Sequence, residues 1–462
     1  MLSSFGIKVY VFEDLRSTPE LSYAVRKLGC AAGIMITASH NPKEYNGYKI
    51  YDENGCQFTP SKITPYIDII NSSGSEIDTQ FGDYEPAGQI ITLGKDIDES
   101  YVNEVKSILL NRDLDKKKIK VVFTPQHGTS LEVAKMLFDD LGYDVTYVEE
   151  QCSHDPFFSG TKSPNPELPE AFDLALEYAK KVDADIIMST DPDADRCGIV
   201  VKQKNGDYRL FTGNETGAML IDYVLSQRKK LGLLHENGIV FDTVVTSSFG
   251  RKVAESYGMN VESVLTGFKF IGDKIHSYEK TKEKVFEFGY EESYGYLLAD
   301  FVRDKDSLQA LLMVLEMTNY YLQKGKTLEV VFDELQQKYG YHNDRVYSIY
   351  FEGQSGKKKM DSIMERVRTS PIKEVCGLKL THYEDYSKSI VYSKDGEEIS
   401  KIDLPTTDLI KYYYDDGSTI SIRTSGTEPK CKFYYGVVGK SQKEVDEKPS
   451  LLNNAIKEIL GI

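Results

Sequence analysis

The stretch Gly33-Ile34-Met35-Ile36-Thr37-Ala38-Ser39-His40-Asn41-Pro42 sets the reading of the whole chain. Its first four residues form an apolar run that reads as a buried strand. Ser39 therefore falls where a strand gives way to a loop, the position at which α/β proteins gather their chemistry. The hydroxyl has an imidazole, His40, as its immediate neighbour. Asn41 precedes a proline and is biased toward extended backbone. Asn46-Gly47 marks a turn, and Tyr48-Lys49-Ile50-Tyr51 resumes a strand pattern that can return Lys49 toward Ser39.

Working outward, residues 7–12 read as a strand and 19–28 as a helix. A second strand–helix series begins at 118–123, followed by a helix from Leu131 and a strand at 144–148. After a breaker-rich loop at 163–167, Leu168, Phe172, Leu176 and Ala179 share one face of an expected helix. A buried strand at 185–189 follows. A third series starts near Gly213, with a strand at 238–241. From about Tyr341 the pattern is richer in strands and less regularly alternating. This recurrence predicts three similar α/β domains and a different fourth. The expected divisions are 1–96, 97–212, 213–340 and 341–462.

A length of 462 residues corresponds to roughly three domains and allows well-buried cores. The net charge of −16, with no long Lys/Arg cluster, excludes a general nucleic-acid binder. Anions can still be held by a few local cations and backbone N–H groups. Cys30, Cys56, Cys152, Cys197, Cys376 and Cys431 are scattered without a CxxC pair, so the expectation is buried free thiols in a reducing cytoplasm. No apolar run is long enough to span a membrane, and no signal-peptide pattern opens the chain.

Asp191-Pro192-Asp193-Ala194-Asp195-Arg196 follows the strand at 185–189. In an extended loop, alternate residues point the same way, so three carboxylates would share one face. They repel unless a cation lies between them, and hard oxygen ligands suit Mg²⁺. An EF-hand fails, because the sixth position is Arg196 and the twelfth is Lys202. An aspartyl-phosphate hydrolase with Asp191 as nucleophile, and a solvated acidic turn, both stay open on this loop alone.

Phe288-Gly289-Tyr290-Glu291-Glu292-Ser293-Tyr294-Gly295 places carboxylates and a hydroxyl near aromatic rings, a chemistry suited to sugar hydroxyls or to an ordinary turn. Arg423-Thr424-Ser425-Gly426-Thr427-Glu428-Pro429-Lys430 joins a guanidinium, hydroxyls and a glycine that permits close backbone approach. Such a loop can grip phosphate through bidentate Arg contacts and an anion nest. Lys269 lies in the apolar setting Leu265-Thr266-Gly267-Phe268-Lys269-Phe270, where a lysine is commonly a surface residue. His127, in Thr124-Pro125-Gln126-His127-Gly128-Thr129, reads as a positioning residue rather than a catalytic one.

The four loops, in this order, resemble the α-D-phosphohexomutase family, in particular its bacterial phosphoglucomutase/phosphomannomutase branch. The resemblance covers essentially the whole chain. It implies three related α/β mixed-sheet domains, the first incomplete, plus a C-terminal α+β domain like the TATA-binding protein. It implies that Ser39 carries the transferred phosphoryl group and joins Asp191, Asp193 and Asp195 around Mg²⁺. Arg196 and His40 would sit beside that phosphate, and Lys49 matches the proposed general base. Glu291 and Ser293 match sugar-hydroxyl readers, and Lys269 a substrate contact. Arg423, Ser425, Gly426 and Thr427 match the clamp on the non-reacting phosphate, with Lys430 as helper and closure of the last domain as the expected lid motion.

The implied reaction is an intramolecular phosphotransfer between hexose 1-phosphate and hexose 6-phosphate, most readily of α-D-glucose. Phosphoserine gives its phosphoryl group to O6, glucose 1,6-bisphosphate turns over as intermediate and activator, and the O1 phosphate returns to Ser39. The implied partners are small-molecule hexose phosphates, with no nucleic acid and no membrane, in the cytoplasm. Mannose or pentose phosphate specificity, hydrolysis through Asp191, and an inactive sugar-phosphate-binding fragment are the alternatives.

The resemblance also implies a segment before residue 7, with an early glycine-containing basic loop, that this sequence does not have. Its absence predicts an exposed sheet edge in the first domain. Either Met1 is an internal methionine of a longer protein, the favoured reading, or the protein is a shortened form with impaired activity. Two smaller departures are Ser17, where proline is common, and Ser307, where glycine is common.

Overall fold

Thr18 opens the first long helix, and its capping chemistry is local. The side chain of Ser17 accepts the Glu20 amide at 3.2 Å, Pro19 occupies the first turn, and Gly29 ends the helix in left-handed backbone at φ 62°. The computed structural model describes residues 1–74, 85–351, 353–424 and 430–462. The chain divides into two units. The first comprises Met1–Asp242, Ala254–Glu262 and Gly267–Val331, and the second comprises Thr243–Val253, Ser263–Thr266 and Phe332–Ile462.

The first unit begins with β1 (Val9–Phe12), α1 (Thr18–Leu28), β2 (Ala32–Ile36), β3 (Tyr48–Asp52), α2 (Pro60–Ser72), β4 (Ile90–Leu93) and α3 (Lys95–Ser107). β1 pairs in parallel with β4, and β2 pairs antiparallel with β3, giving two ribbons of two strands each. The buried strand expected at 33–36 is corrected here. Gly33 is covered by Val25 and Leu21 of α1, but Ile34 and Ile36 are 42% and 57% exposed. A two-stranded ribbon has only one covered face, so alternate side chains of β2 face solvent.

The second series contains β5 (Val121–Thr124), α4 (Leu131–Leu141), β6 (Val145–Tyr147), α5 (Asp173–Val182), β7 (Ile186–Thr190), β8 (Cys197–Lys202) and β9 (Tyr208–Phe211). They form a mixed sheet in the order β6-β5-β7-β8-β9, with β5 parallel to both neighbours and the last three strands antiparallel. Every residue of β7 is buried, which places its C-terminal end inside the unit. The helix expected to include Leu168 starts later. Pro169 to Phe172 form a 3₁₀ turn, Leu168 precedes it and is exposed, and Ala175 and Ala179 supply the buried face. The proline at the start of that turn has no amide to donate, which favours the tighter winding before α5.

The third series runs α6 (Gly213–Leu231), β10 (Gly238–Thr243), α7 (Ser248–Ser256), β11 (Asn260–Val264), α8 (Phe268–Thr281), β12 (Val285–Glu291), β13 (Gly295–Leu297), α9 (Ser307–Leu322) and α10 (Leu328–Tyr339). Its sheet order is β11-β10-β12-β13. Thr212 and Glu215 form a reciprocal capping box at the head of α6.

The second unit is built differently. Its strands are β14 (Tyr341–Tyr350), β15 (Glu374–Val375), β16 (Leu378–Asp385), β17 (Ile390–Ser393), β18 (Glu398–Lys401), β19 (Leu409–Tyr414), β20 (Thr419–Thr424) and β21 (Lys430–Gly439). Helices α11 (Gly353–Thr369) and α12 (Gln442–Leu460) belong to it, and it also takes in parts of α7, β11 and α10. The antiparallel order is β14-β21-β20-β19-β16-β17-β18, and Val367, Ile422, Phe433, Leu452 and Ile456 share one core. Three α/β series and one α+β unit are the fold class expected from the sequence.

The cysteine expectation holds only in part. All six thiols are free, with Cys56, Cys197 and Cys431 buried and Cys376 exposed at the Cys376-Gly377 turn. Among the described residues, no helix is long and apolar enough to cross a membrane.

Candidate active site

The serine loop is held by its own backbone. The Thr37 amide donates to the Gly47 carbonyl at 3.0 Å, and a Cβ on Gly47 would lie 2.1 Å from the Thr37 carbonyl oxygen. Only glycine permits that approach. Ser39 sits in left-handed backbone at φ 55°, and its amide donates to Thr37 Oγ1 at 2.9 Å. Its hydroxyl donates to Asp191 Oδ2 at 2.9 Å, and His40 Nδ1 lies 3.3 Å from the same serine oxygen.

The aspartate loop turns rather than runs extended, which corrects the geometry expected from alternation. The Ala194 amide donates to the Asp191 carbonyl at 3.0 Å, and Ala194 has φ 57°. The carboxylates converge all the same. One oxygen from each of Asp191, Asp193 and Asp195 lies within 4.8 Å of the others, and all three residues are buried. Amides of Asp195 and Arg196 donate to Asp191 Oδ1 at 3.1 and 3.0 Å. Oδ1 of Asp193 and Oδ1 of Asp195 are buried with no hydrogen-bond partner among the described residues. Paired orphan oxygens inside a carboxylate trio are the donor set of a hard divalent cation.

Cations surround the trio. Lys49 Nζ lies 2.8 Å from Asp193 Oδ2 and 3.3 Å from Asp195 Oδ2. Lys305 Nζ lies 2.7 Å from the same oxygen of Asp195. Arg196 is gripped by Glu167 at 2.5 Å and stands 3.8 Å from Asp191 and 3.9 Å from Asp195. Burial works against the charge on Lys49 and Lys305, but neighbouring aspartates outweigh it and hold both ammonium groups above their usual range. Burial, then the charges of Asp195 and Asp193, pushes the Asp191 carboxyl up. Burial opposes ionisation of Asp193 too, but Lys49 and Lys305 overcome it and hold that group low.

Glu291 ends β12, and its Oε1 accepts the Gly267 amide at 2.7 Å. Burial, opposed by Lys305, pushes its carboxyl up to about 7. Ser293 lies in the turn between β12 and β13, where Glu291 pairs with Gly295. The bridge from Arg196 to Gly295 ties this turn to the aspartate loop. Lys269 stands in the first turn of α8, two residues after the N-cap Gly267, with Nζ 5.7 Å from the Phe270 ring. Thus Ser39, His40, Lys49, Arg196 and the three aspartates meet, and Glu291 and Ser293 join them through the β12–β13 turn. Arg423 and Lys430 belong to the second unit, on β20 and β21, and Lys430 Nζ lies 5.4 Å from the Tyr350 ring. Ser425, Gly426 and Thr427 lie outside the described residues.

His127 has φ 61°; its Nδ1 pairs with the Ser153 carbonyl at 2.9 Å, and its Nε2 accepts the Gly160 amide at 3.0 Å. Both ring nitrogens are occupied in holding the 153–160 loop, as a positioning residue requires.

Three residues of the site escape sequence reasoning. Lys305 is one, and Glu167, which anchors Arg196, is the second. The third is Thr18, whose amide donates to the Asp193 carbonyl at 2.9 Å and whose hydroxyl donates to Asp193 Oδ2 at 3.1 Å. A signal existed for Lys305. The run Arg303-Asp304-Lys305-Asp306 is four consecutive charges between the apolar β13 and α9, an arrangement that has to be paired internally.

Comparison with known proteins gives four family matches. Residues 1–76, 99–206 and 212–339 match phosphoglucomutase/phosphomannomutase alpha/beta/alpha domains I, II and III, and residues 387–448 match the C-terminal domain. The chain is 37% identical over 460 residues to a phosphoglucomutase of Staphylococcus epidermidis, covering 99% of this chain and 82% of that protein. The solved parafusin (phosphoglucomutase) of Paramecium superposes with a TM-score of 0.71 at 23% identity, over 98% of this chain and 82% of that one. The Aspergillus fumigatus N-acetylphosphoglucosamine mutase, solved with GlcNAc-6P and magnesium, gives 0.55 at 14% identity, over 96% and 92% of the two chains.

Proposed function

This chain belongs to the phosphoglucomutase/phosphomannomutase family and is a hexose phosphate mutase; we propose that glucose phosphate is its substrate and that Ser39 carries the phosphoryl group. The observation that carries the proposal is the Ser39 hydroxyl donating at 2.9 Å to Asp191, within a buried aspartate trio ringed by Lys49, Lys305 and Arg196.

Phosphoryl transfer demands alignment and neutralisation of oxygen charge more than new bonds to protein. Ser39 is fixed by its own loop, so the oxygen that gives and takes the group holds its place. Lys49 and Lys305 balance negative charge on the aspartates, and Lys49 is assigned as the general base. Glu167 takes up Arg196 Nη1, leaving Nε beside Asp191 and Asp195, close to the serine oxygen that Asp191 accepts from. Glu291 can read sugar hydroxyls, and Lys269 and Ser293 are assigned to the same surface. Arg423, Ser425, Gly426, Thr427 and Lys430 are assigned to the non-reacting phosphate. The division at 1–96, 97–212, 213–340 and 341–462 is kept as the frame for these assignments.

The free oxygens of Asp193 and Asp195 fit Mg²⁺, which Asp191, Asp193, Asp195 and Ser39 would hold. When bound, it supplies Lewis-acid stabilisation of phosphate oxygen charge. Glucose 1,6-bisphosphate is proposed as intermediate and activator.

The test is incubation with glucose 1-phosphate, Mg²⁺ and a trace of glucose 1,6-bisphosphate. Glucose 6-phosphate should form, and Ser39→Ala should form none. Protein labelled from ³²P glucose 1,6-bisphosphate should keep its label in acid, as a seryl phosphate does. A label released by neutral hydroxylamine, which cleaves an acyl phosphate and spares a seryl phosphate, would assign the chemistry to Asp191 instead.

A further inference from the structure

β3 sends two side chains to one side, two residues apart, as strand periodicity requires. Lys49 reaches the aspartate trio, and Tyr51 reaches Asp304. The Tyr51 hydroxyl donates to Asp304 Oδ2 at 2.7 Å, and both residues are buried. The other oxygen of Asp304 accepts the Lys305 amide at 2.9 Å and stands 3.6 Å from Lys305 Nζ. Lys305 Nζ therefore has two carboxylates within 4 Å, Asp195 at 2.7 Å and Asp304 at 3.6 Å, and leans to the first.

We propose that Tyr51 and Asp304 are a positioning pair that keeps the Lys305 ammonium on Asp195. The inference rests on the reading of the aspartate trio as the phosphoryl-transfer site. Two ammonium groups, Lys49 and Lys305, converge on one oxygen of Asp195, and their mutual repulsion pushes Lys305 toward any other carboxylate in reach. Asp304, at 3.6 Å, is in ion-pair range. Its Oδ2 is tied to Tyr51 on one side and its Oδ1 to the Lys305 amide, so the group cannot swing onto Nζ. Without the phenol, Asp304 has a bare buried oxygen, and a donor close by that can turn to it is the Lys305 ammonium, 3.6 Å from the other oxygen of the same carboxylate. The lysine would then be drawn off the reacting centre. The pair joins β3, which also carries Lys49, to the segment before α9.

Tyr51→Phe keeps the ring and removes the hydrogen bond. Its kcat in the glucose 1-phosphate assay should fall about 10-fold with KM within about 2-fold, because placement of a group by an ångström is felt in turnover. The decisive variant is Tyr51→Phe with Asp304→Asn. A neutral amide captures an ammonium poorly, so the double variant should regain turnover relative to Tyr51→Phe. Competitive acetylation followed by mass spectrometry reads Lys305 directly and should show its rate altered in Tyr51→Phe and returned toward wild type in the double variant. Full kcat in Tyr51→Phe, or a further independent loss in the double variant, would overturn the pair. An unchanged acetylation rate at Lys305 would do the same, even for a variant too unstable to assay. A wild-type enzyme with no mutase turnover would instead overturn the underlying reading of the site.

Discussion

Thr18 holds Asp193 twice, donating its amide to the carbonyl at 2.9 Å and its hydroxyl to the carboxylate at 3.1 Å. The first long helix thereby fixes one member of the aspartate trio from outside the loop that carries it. Orientation of a ligand by such a partner is commonly worth 10- to 100-fold in metal affinity. Thr18→Val, which keeps the branched shape and deletes the hydroxyl, should weaken Mg²⁺ binding about 10-fold by isothermal titration calorimetry. Thr18→Ser should restore most of it. Equal affinities for all three proteins would show that the contact has no bearing on the cation.

Gly128 lies under the same loop. A Cβ there would meet Pro192 Cα at 2.5 Å and the Pro192 carbonyl oxygen at 2.6 Å, the same carbonyl that accepts from Thr129. Backbone atoms cannot yield as a flexible side chain would, so Gly128→Ala has to displace Pro192 and with it Asp191 and Asp193. Turnover should drop by on the order of 100-fold with the far-UV circular dichroism unchanged. Retention of wild-type turnover would mean that the loop absorbs the displacement elsewhere.

In the second unit, Asp408 joins the end of β20 to α11. Its Oδ2 accepts the Thr424 hydroxyl at 2.5 Å, and its other oxygen pairs with Arg368, which also holds Asp385 at 3.3 Å. Thr424 follows Arg423, the group assigned to the non-reacting phosphate. Asp408→Ala should raise KM for glucose 1-phosphate about 10-fold and leave kcat within about 2-fold, the pattern of lost uniform binding. A fall in kcat at constant KM would contradict the assignment of Arg423 to substrate binding.

His342 supplies an acid limit to stability. Its ring stacks on Phe249 at 4.9 Å, Nδ1 pairs with the Gly340 carbonyl at 2.7 Å, and Nε2 is buried without a partner among the described residues. Burial, with Lys252 adding to it, lowers its pKa from 6.5 to about 4. The folded state thus binds the proton more weakly than the unfolded chain does. The contribution to stability is whole above pH 6.5, declines as the pH falls, and levels off below about 4. The total loss is about 3 kcal/mol. Urea midpoints between pH 7 and 4 should fall for the wild type and fall less for His342→Phe. Parallel declines in the two proteins would remove His342 from the account.

Much of the site is legible because its parts are contiguous in sequence. Ser39 and the aspartate loop each stand at the end of an apolar run, and Lys49 follows Ser39 across one turn. Thr18 and Lys305 are not legible in that way. Each meets the aspartates across a long separation in the chain, and the pairing depends on how α1 and the loop before α9 dock. The exposure of Ile34 and Ile36 also escapes local reading, because an apolar run does not say how many faces of its strand are covered. The turn at Ala194 escapes local reading for a similar reason. Alanine carries no signal for positive φ, and the Thr18 and Ser307 contacts to the Asp193 and Ala194 carbonyls hold it there.

The left-handed backbone of Ser39 sets evolution a dilemma at this position. A side chain with a Cβ is disfavoured there by about 1 kcal/mol relative to glycine. Drift toward greater robustness would therefore favour Ser39→Gly, and the result would be a sturdier protein with no oxygen to phosphorylate. Heat-resistant variants chosen for folding alone should accumulate glycine at residue 39, whereas selection for sugar phosphate turnover should hold the serine in its strained pose.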